Sequence, residues 1–311
     1  MSNVTTPTNQ VTLSEALMKV QMQVKDPLRK SVPDKGEAEK IQSANDMAEG
    51  TISVSRKIVD DGAVEVYRTP LKKLLKFYYD NTLSIGKGKQ PHRVVSMKNL
   101  PKFQKEFQDL LNATLDGMKL FKRAYQDQQN WMGRQQQRMG KKFDAGNYPS
   151  VQDVDDGMTV LHSFDAFGDI KKSGGAFLDV ETMALMQKQQ TEREQVIEKF
   201  ATQDLWSSIL EPLQKMRDTL SVPIGDSADK KFHSTLVSNV ADIANRIPSL
   251  NFRGDNKLEE IRGELTKLTD SVEDFQELKQ DPVKREETAD SAQRVLDKMG
   301  GYGMKPQREA V

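Results

Sequence analysis

The sequence predicts an all-α protein, an elongated bundle of long amphipathic helices with coiled-coil-like packing. Apolar residues recur three and four positions apart over long stretches, which is the spacing of one face of a helix. Only 36% of the 311 residues are hydrophobic and 30% are charged. An average globular domain is about 45–50% apolar, so this composition favours narrow apolar stripes over one thick core. No run of alternating β-branched residues indicates a strand.

The N-terminal third predicts a disordered start followed by short helices. Residues 1–11 are polar and are expected to be disordered. Short helices are expected at Leu13–Val24, Glu37–Val59 and Pro70–Leu83. The segment 84–93, rich in Gly and Lys, predicts a loop that leads into one extended turn at the following two valines.

The clearest apolar stripe starts at Leu100 and continues to Met132 at intervals of three and four. Pro101 fits the first turn of a helix, and Gly140 ends the stretch, so one helix of about 40 residues is predicted. A helix of this length needs other helices to cover its stripe. The stripe residues expected at this interface are Phe103, Phe107, Leu110, Phe121 and Tyr125.

The next segment predicts a short helix and a third long one. The short helix is expected at Val151–Phe164, opened by a capping box of Ser150 with Asp153. The long helix is expected from about Asp179 to Leu220, kinked or divided by Pro212. Two glycines near residue 175 suggest a soft boundary, but helices of this length usually cross such boundaries. Residues 12–299 are therefore expected to form one helical domain.

The C-terminal part predicts a helix at Lys231–Ile247 and a second interface stripe, whose helix Asp255 caps. Pro282 then opens a last helix, which ends at Gly300. Residues 300–311 are expected to form a flexible tail. The stripe consists of Leu258, Ile261, Leu265 and Leu268.

Composition excludes several functional classes. The 46 lysines and arginines balance 46 acidic residues, so no overall field attracts nucleic acid or membrane. The chain has no cysteine, which removes disulfides and thiolate metal sites. No apolar run approaches the ~20 residues of a membrane span, and the N-terminus does not resemble a signal peptide. A cytoplasmic protein without membrane association is expected.

No arrangement of residues indicates catalysis or a cofactor. His92, His162 and His233 are far apart and none has a second metal ligand three or four positions away. The lysine-containing loop after Gly86 lacks the spacing of a phosphate-binding loop. Standard nucleophile, zinc and dinucleotide motifs are absent from the sequence, so an enzyme is not expected.

Positive charge is concentrated in one part of the chain, which suggests nucleic-acid binding as an alternative function. Residues 87–142 contain thirteen lysines and arginines against four acidic residues, with Trp131 near their end. This pattern is compatible with a helix that binds DNA or RNA through its phosphates while Trp131 stacks on a base. It is also compatible with a solvated helix face that packs near acidic helices. The candidate contacts are Lys87, Lys89, Arg93, Lys119, Lys122, Arg123, Arg134, Arg138, Lys141 and Lys142.

The breaks and apolar positions together form a pattern that resembles a known family. In the last third the pattern is carried by Leu250, Asn251, Phe252, Gly254, Asp255, Leu258, Leu265, Val272, Glu273, Leu278, Asp281, Pro282, Arg285, Glu286, Ala289, Val295 and Leu296. In the middle it is carried by Val94, Val95, Leu100, Pro101, Phe121, Tyr125 and Trp131. Over about residues 35–299 the chain resembles an uncharacterised helical domain of tailed bacteriophages and prophages.

That resemblance implies a phage origin and expression in the host cytoplasm. Genes of the family often lie near MoxR-type AAA+ ATPases and von Willebrand A-domain proteins, which implies one of these as a partner. The family has no assigned activity, so it implies no catalytic residues.

The leading hypothesis is a non-enzymatic adaptor or assembly protein that acts through protein–protein contacts, with a AAA+ ATPase or with further copies of itself. A nucleic-acid-binding protein is the first alternative, and a structural component of the virion is the second.

Overall fold

Helices form most of the computed structural model, as the sequence predicts, and short strands accompany them. The structure describes residues 13–29, 31–86, 92–167, 180–224, 235–272 and 275–302. The helices are α1 (Leu13–Ala16), α2 (Lys35–Ala44), α3 (Asp61–Asp80), α4 (Leu100–Gln126), α5 (Gln128–Met139), α6 (Val151–Gly157), α7 (Val180–Leu220), α8 (Thr235–Leu250), α9 (Asn256–Asp270), α10 (Phe275–Gln280) and α11 (Pro282–Gly301). The strands are β1 (Leu17–Lys25), β2 (Ser31–Pro33), β3 (Ser55–Lys57), β4 (Leu83–Ser84), β5 (Arg93–Ser96) and β6 (Thr159–Ala166).

The strands show that the all-α prediction is wrong in its strict form. β4, β5, β1 and β6 form a four-stranded sheet in that order, and β2 pairs with β3. β1 is antiparallel to β5, with Leu17 opposite Ser96 and Val20 opposite Arg93. The expected extended turn before α4 is therefore an inner strand of a sheet.

β1 occupies most of the helix expected at Leu13–Val24, of which only Leu13–Ala16 is helical. From Met18 onward apolar and polar residues alternate, so successive side chains point to opposite faces of the sheet. Val20 is fully buried on one face, whereas Lys19 on the other is half-exposed. This alternation is a weak strand signal because two of its apolar residues are Met, which is not β-branched.

Two other expected helices are shorter than predicted and are followed by strands. The segment Glu37–Val59 contains most of α2 and then β3, and Val151–Phe164 contains α6 and then most of β6. The helix expected from Pro70 instead begins at Asp61 and continues through Pro70. The capping box of Ser150 with Asp153 is confirmed at the start of α6.

The helix of about 40 residues predicted from Leu100 is divided into α4 and α5. Asp127 separates them, and its carboxylate accepts the backbone N–H of Asn130 at 3.1 Å as the N-cap of α5. The break changes the buried register, so that Trp131 is buried and Met132 is only partly buried. The third long helix is confirmed as α7, which continues through Pro212 without interruption.

The chain divides into two compact units. Unit 1 comprises Met1–Gln21, Tyr79–Phe103 and Phe164–Val311, and unit 2 comprises Met22–Tyr78 and Gln104–Ser163. The soft boundary expected near residue 175, the disordered start at 1–11 and most of the expected tail at 300–311 lie outside the described residues. In the described ranges, each helix is either too short or too polar to cross a membrane.

Unit 1 contains a four-helix bundle. α7 packs against α8 and α11, and α9 packs against the same two helices, which closes the ring. Its core is almost entirely aliphatic, because every helix places residues three and four apart toward the centre. All four residues of the second predicted stripe are at most 3% exposed: Leu258, Ile261, Leu265 and Leu268.

The core of unit 2 contains a cluster of aromatic rings among aliphatic side chains. The Trp131 ring lies 5.4 Å from Phe121 and 5.1 Å from Tyr125, measured between centroids, and Phe121 lies 5.1 Å from Tyr67. Gly117 of α4 faces the backbone of α3, where a Cβ at this position would stand 2.8 Å from the Cα of Tyr67 and closer still to the carbonyl oxygen of Val66. Only glycine permits an approach this close.

Candidate functional site

A groove of about 690 Å³ lies in unit 1 and is lined by β1 and α7, with one residue from each side of the β4–β5 connection. β1 contributes alternate residues of one sheet face, and α7 contributes residues three, four and seven apart, which share one helix face. We call this cavity the β1–α7 groove. Its lining residues are Lys19, Gln21, Ile85, His92, Gln189, Glu192, Arg193, Val196 and Ile197.

The β1–α7 groove has an apolar floor and a cationic rim. Ile197 is buried and Ile85 is half-buried. The Nζ of Lys19 lies 4.8 Å from the centre of the Phe167 ring, a cation–π contact that holds the ammonium in place. Arg193 adds a second cation, whereas Glu192 is the only carboxylate among the lining residues.

His92 lies at the edge of this groove, with its Nδ1 at 3.2 Å from the Nε2 of Gln21. The ring of His162, in unit 2, lies 5.4 Å from that of Phe107. His233 lies outside the described residues. In the described part of the chain, no group of three His, Asp or Glu side chains is placed to hold a metal ion.

The first half of α7 differs sharply from its second half. We call Glu181–Val196 the α7 arm. None of its residues is buried, and Leu185 and Val196 are 56% and 52% exposed. From Ile197 onward the same helix places a buried side chain in nearly every turn, so the bundle begins there.

Four of the ten cations predicted to contact nucleic acid are used inside the fold. In unit 1, Arg93 donates from Nε to Thr82 Oγ1 at 2.6 Å and from Nη2 to the Thr82 carbonyl at 2.5 Å. In unit 2, the Nζ of Lys122 donates to the carbonyl oxygen of Asp155 at 2.6 Å. These contacts hold helices and loops in place rather than presenting charge to a ligand.

The other two, Arg138 and Lys142, are exposed residues of unit 2 that bond to segments next to the paired strands β2 and β3. Arg138 donates from Nη2 to the carbonyl oxygen of Ile58 at 2.5 Å. Lys142 donates to Asp34 Oδ2 at 2.9 Å and to Glu37 Oε2 at 3.2 Å. Lys142 is the main reason why the pKa values of both carboxyls lie below their ordinary values.

The remaining basic residues form a mixed surface. Lys119, Arg123, Arg134 and Lys141 are exposed, while Lys87 and Lys89 lie outside the described residues. Asp109 and Asp116 precede Arg123 by fourteen and seven positions, which places all three on the same outward face of α4. This face therefore lacks the uniform positive charge that phosphate binding favours.

Trp131 cannot stack on a base as the nucleic-acid hypothesis requires. It is 1% exposed and lies among the aromatic rings of unit 2. The two aromatic residues that start the first predicted stripe, Phe103 and Phe107, are each 1% exposed, whereas Leu110 is half-buried and Leu111 is 2% exposed in its place.

Comparison of the chain with protein-family models, curated proteins and solved structures finds no match. The resemblance to the phage family stays a prediction. The β1–α7 groove was not anticipated from the sequence, although the alternation in β1 was a signal that could have placed Lys19 and Gln21 together.

Proposed function

We propose that the protein is a non-enzymatic helical adaptor or assembly protein that binds a partner protein through the α7 arm. The observation that carries this proposal is the arm itself, sixteen helical residues beyond the bundle without one buried side chain. A helix of this kind gains most of its stability from packing, so an uncovered stretch favours association with another element.

The composition of the α7 arm supports such a contact. Leu185 and Val196 are exposed, and covering the exposed part of either side chain contributes on the order of 1 kcal/mol. Met183 and Met186 are half-buried on another side of the arm. Methionine adapts to irregular surfaces, which suits a helix that packs against a partner.

The identity of the partner is proposed from the resemblance alone. It implies a tailed phage, the host cytoplasm, and a MoxR-type AAA+ ATPase or a von Willebrand A-domain protein as the partner. A second copy of the chain is the alternative occupant, which light scattering separates from a heterologous partner by mass.

The test compares two leucines of nearly equal exposure. Leu185→Asp changes the α7 arm, where the side chain is 56% exposed, and Leu120→Asp changes α4, where it is 54% exposed. We expect Leu185→Asp to weaken capture of the purified ATPase, or self-association, about tenfold or more, because it removes an apolar contact and buries a charge. Leu120→Asp should leave binding unchanged.

Equal effects of the two variants would argue against the arm. A strict monomer that captures neither candidate protein would refute the adaptor proposal. Mass spectrometry of purified particles separates an assembly factor from the virion-component alternative.

A second proposal, nucleic-acid binding, is supported by four exposed cations, Lys119, Arg123, Arg134 and Lys141, which have no acidic partner among the described residues. If it holds, neutralising Lys119 and Arg123 to Gln should reduce the log–log salt dependence of DNA binding by about 0.9 for each phosphate that is no longer neutralised. No shift in a gel at low salt would dismiss it.

A further inference from the structure

We infer that the β1–α7 groove receives an acidic, aliphatic segment of the partner protein. This inference rests on the proposed adaptor function and names the chemistry of the partner. The C-terminal half of the α7 arm lines the groove and contributes Gln189, Glu192, Arg193 and Val196 to it. A partner that binds the α7 arm therefore lies next to the groove and can place a segment in it.

The charges of the groove select an acidic ligand. Lys19 and Arg193 face it as cations, and neither has a carboxylate partner among the described residues. Glu192 precedes Arg193 by one position, and neighbouring residues on a helix do not face each other, so it does not neutralise that guanidinium. A carboxylate that enters between β1 and α7 meets both cations.

The apolar residues of the groove select an aliphatic side chain next to that carboxylate. Ile85 and Ile197 form the floor, and Val196 extends it toward the arm. An extended segment that alternates acidic and aliphatic residues places its carboxylates on the rim and its aliphatic side chains on the floor, because successive side chains point to opposite sides.

The openness of the groove favours a protein segment over a small molecule. Six of the nine lining residues are exposed, and only Ile197 is buried. Small-molecule sites enclose about 70–90% of their ligand, which a groove with so exposed a lining does not do. The ammonium of Lys19, fixed against Phe167, provides an ordered contact at the strand side.

The first experiment measures binding of fluorescein-labelled peptides to the full chain. The probes alternate Glu with Leu, Lys with Leu, and Gln with Leu, each roughly eight residues long, which span about 26 Å when extended. We expect the Glu–Leu peptide to bind at least about tenfold more tightly than the other two, and less tightly as salt rises.

Substitutions then locate the site. Arg193→Glu and Lys19→Glu should each weaken binding of the Glu–Leu peptide about tenfold, because an attractive contact becomes a repulsive one. Arg123→Glu, an equal change of charge on α4 of unit 2, is the matched control and should have no effect. Equal binding of all three peptides, displacement by millimolar phosphate or citrate, or an unchanged Kd in Arg193→Glu would overturn the inference.

Capture of the partner separates this inference from the proposed function. If Leu185→Asp abolishes capture while Lys19→Glu and Arg193→Glu leave it intact, the adaptor function stands and the groove inference falls. If none of the three variants changes capture, the partner binds another surface, and both the α7 arm and the groove are excluded as its binding site. Loss of capture in all three supports both.

Discussion

The two units hold their cores together by different means. The bundle of unit 1 buries aliphatic side chains from helices that follow one another between α7 and α11, with few aromatic residues among them. The core of unit 2 also buries five aromatic rings, and the hydroxyls of its tyrosines bond to distant segments. The Tyr148 hydroxyl donates to the Ile58 carbonyl at 2.7 Å, and the Tyr125 hydroxyl to the Pro149 carbonyl at 2.7 Å.

The difference shows that the two cores place different requirements on the sequence. An aliphatic bundle needs only the right spacing on each helix, because any aliphatic side chain of the right size can fill its interior. A buried tyrosine needs one acceptor at one place, since an unpaired hydroxyl in the interior destabilises the fold. Unit 2 should therefore tolerate substitution less well than unit 1.

The largest effect is expected at Trp131. Trp131→Ala removes the ring that contacts both Phe121 and Tyr125, and it should lower the free energy of unfolding by about 3–5 kcal/mol. Urea denaturation followed by circular dichroism measures this. In the variant, Trp206 is the only remaining tryptophan, and its fluorescence reports on the core of unit 1. An unchanged midpoint would show that the ring does not support unit 2.

The corresponding change in the bundle is Leu265→Ala. Leu265 is fully buried, so its truncation should destabilise by about 2–5 kcal/mol, with the lower values where neighbouring aliphatic side chains fill the space. Leu185→Ala in the exposed α7 arm is the control, and it should stay within about 0.5 kcal/mol of the parent. Urea denaturation monitored by circular dichroism compares the midpoints of the two variants. Equal destabilisation by both would mean that the arm is covered within the monomer.

Replacement of two glycines of unit 2 by alanine should change the stability in opposite directions. Gly117→Ala forces a Cβ against the backbone of Val66 and should destabilise by about 1–3 kcal/mol despite the better helix propensity of Ala. Gly133→Ala, in α5, meets nothing within 4 Å and should stabilise by about 0.5–1 kcal/mol. Thermal melts of both variants test the pair. A neutral Gly117→Ala would mean that α3 and α4 can separate at little cost.

The smallest effect concerns the Asp34 carboxyl of unit 2, which accepts a hydrogen bond from Lys142. Lys142 and then Arg56 hold the pKa of Asp34 below its ordinary value of 3.8. A lowered folded-state pKa contributes stability above the unfolded value, and this stability is lost as the pH falls below 3.8 through the folded-state pKa. Lys142→Met should therefore raise the pKa of Asp34 and reduce stability at neutral pH but not in strong acid.

An NMR titration of the Asp34 carboxyl carbon measures this pKa directly. Lys141→Met removes the neighbouring exposed lysine and should not move it. The same shift in both variants would indicate a general field of positive charge rather than the hydrogen bond from Lys142.

The sequence predicted the bundle far better than unit 2. Spacing alone placed Leu258, Ile261, Leu265 and Leu268 on one face, and Asp255 is confirmed as the cap of their helix. The α7 boundaries were also predicted, because helical periodicity is a local property. The strand β1 was missed because its alternation is short and two of its apolar residues are Met, which is not β-branched.

The contacts that bring distant segments together could not be predicted from one sequence. Nothing in the local pattern indicates that Lys142 reaches Asp34, or that Asp127 ends α4 so that Trp131 enters the core. The nucleic-acid hypothesis counted every cation as available, and four of them are used within the fold. The β1–α7 groove required both the strand and α7 to be known.

The order of the chain in the two units has a consequence for synthesis on the ribosome. Leu17 belongs to the same apolar cluster as Leu296 and Met299, which are translated ~280 residues later. At roughly 5–20 residues per second, the synthesis of ~280 residues takes about 15–60 s. During this time the apolar cluster around Leu17 lacks the side chains of α11. Unit 2 is complete once Ser163 has emerged. The cluster that contains Leu17 therefore cannot be completed until α11 has been synthesised, long after the segments of unit 2 are available.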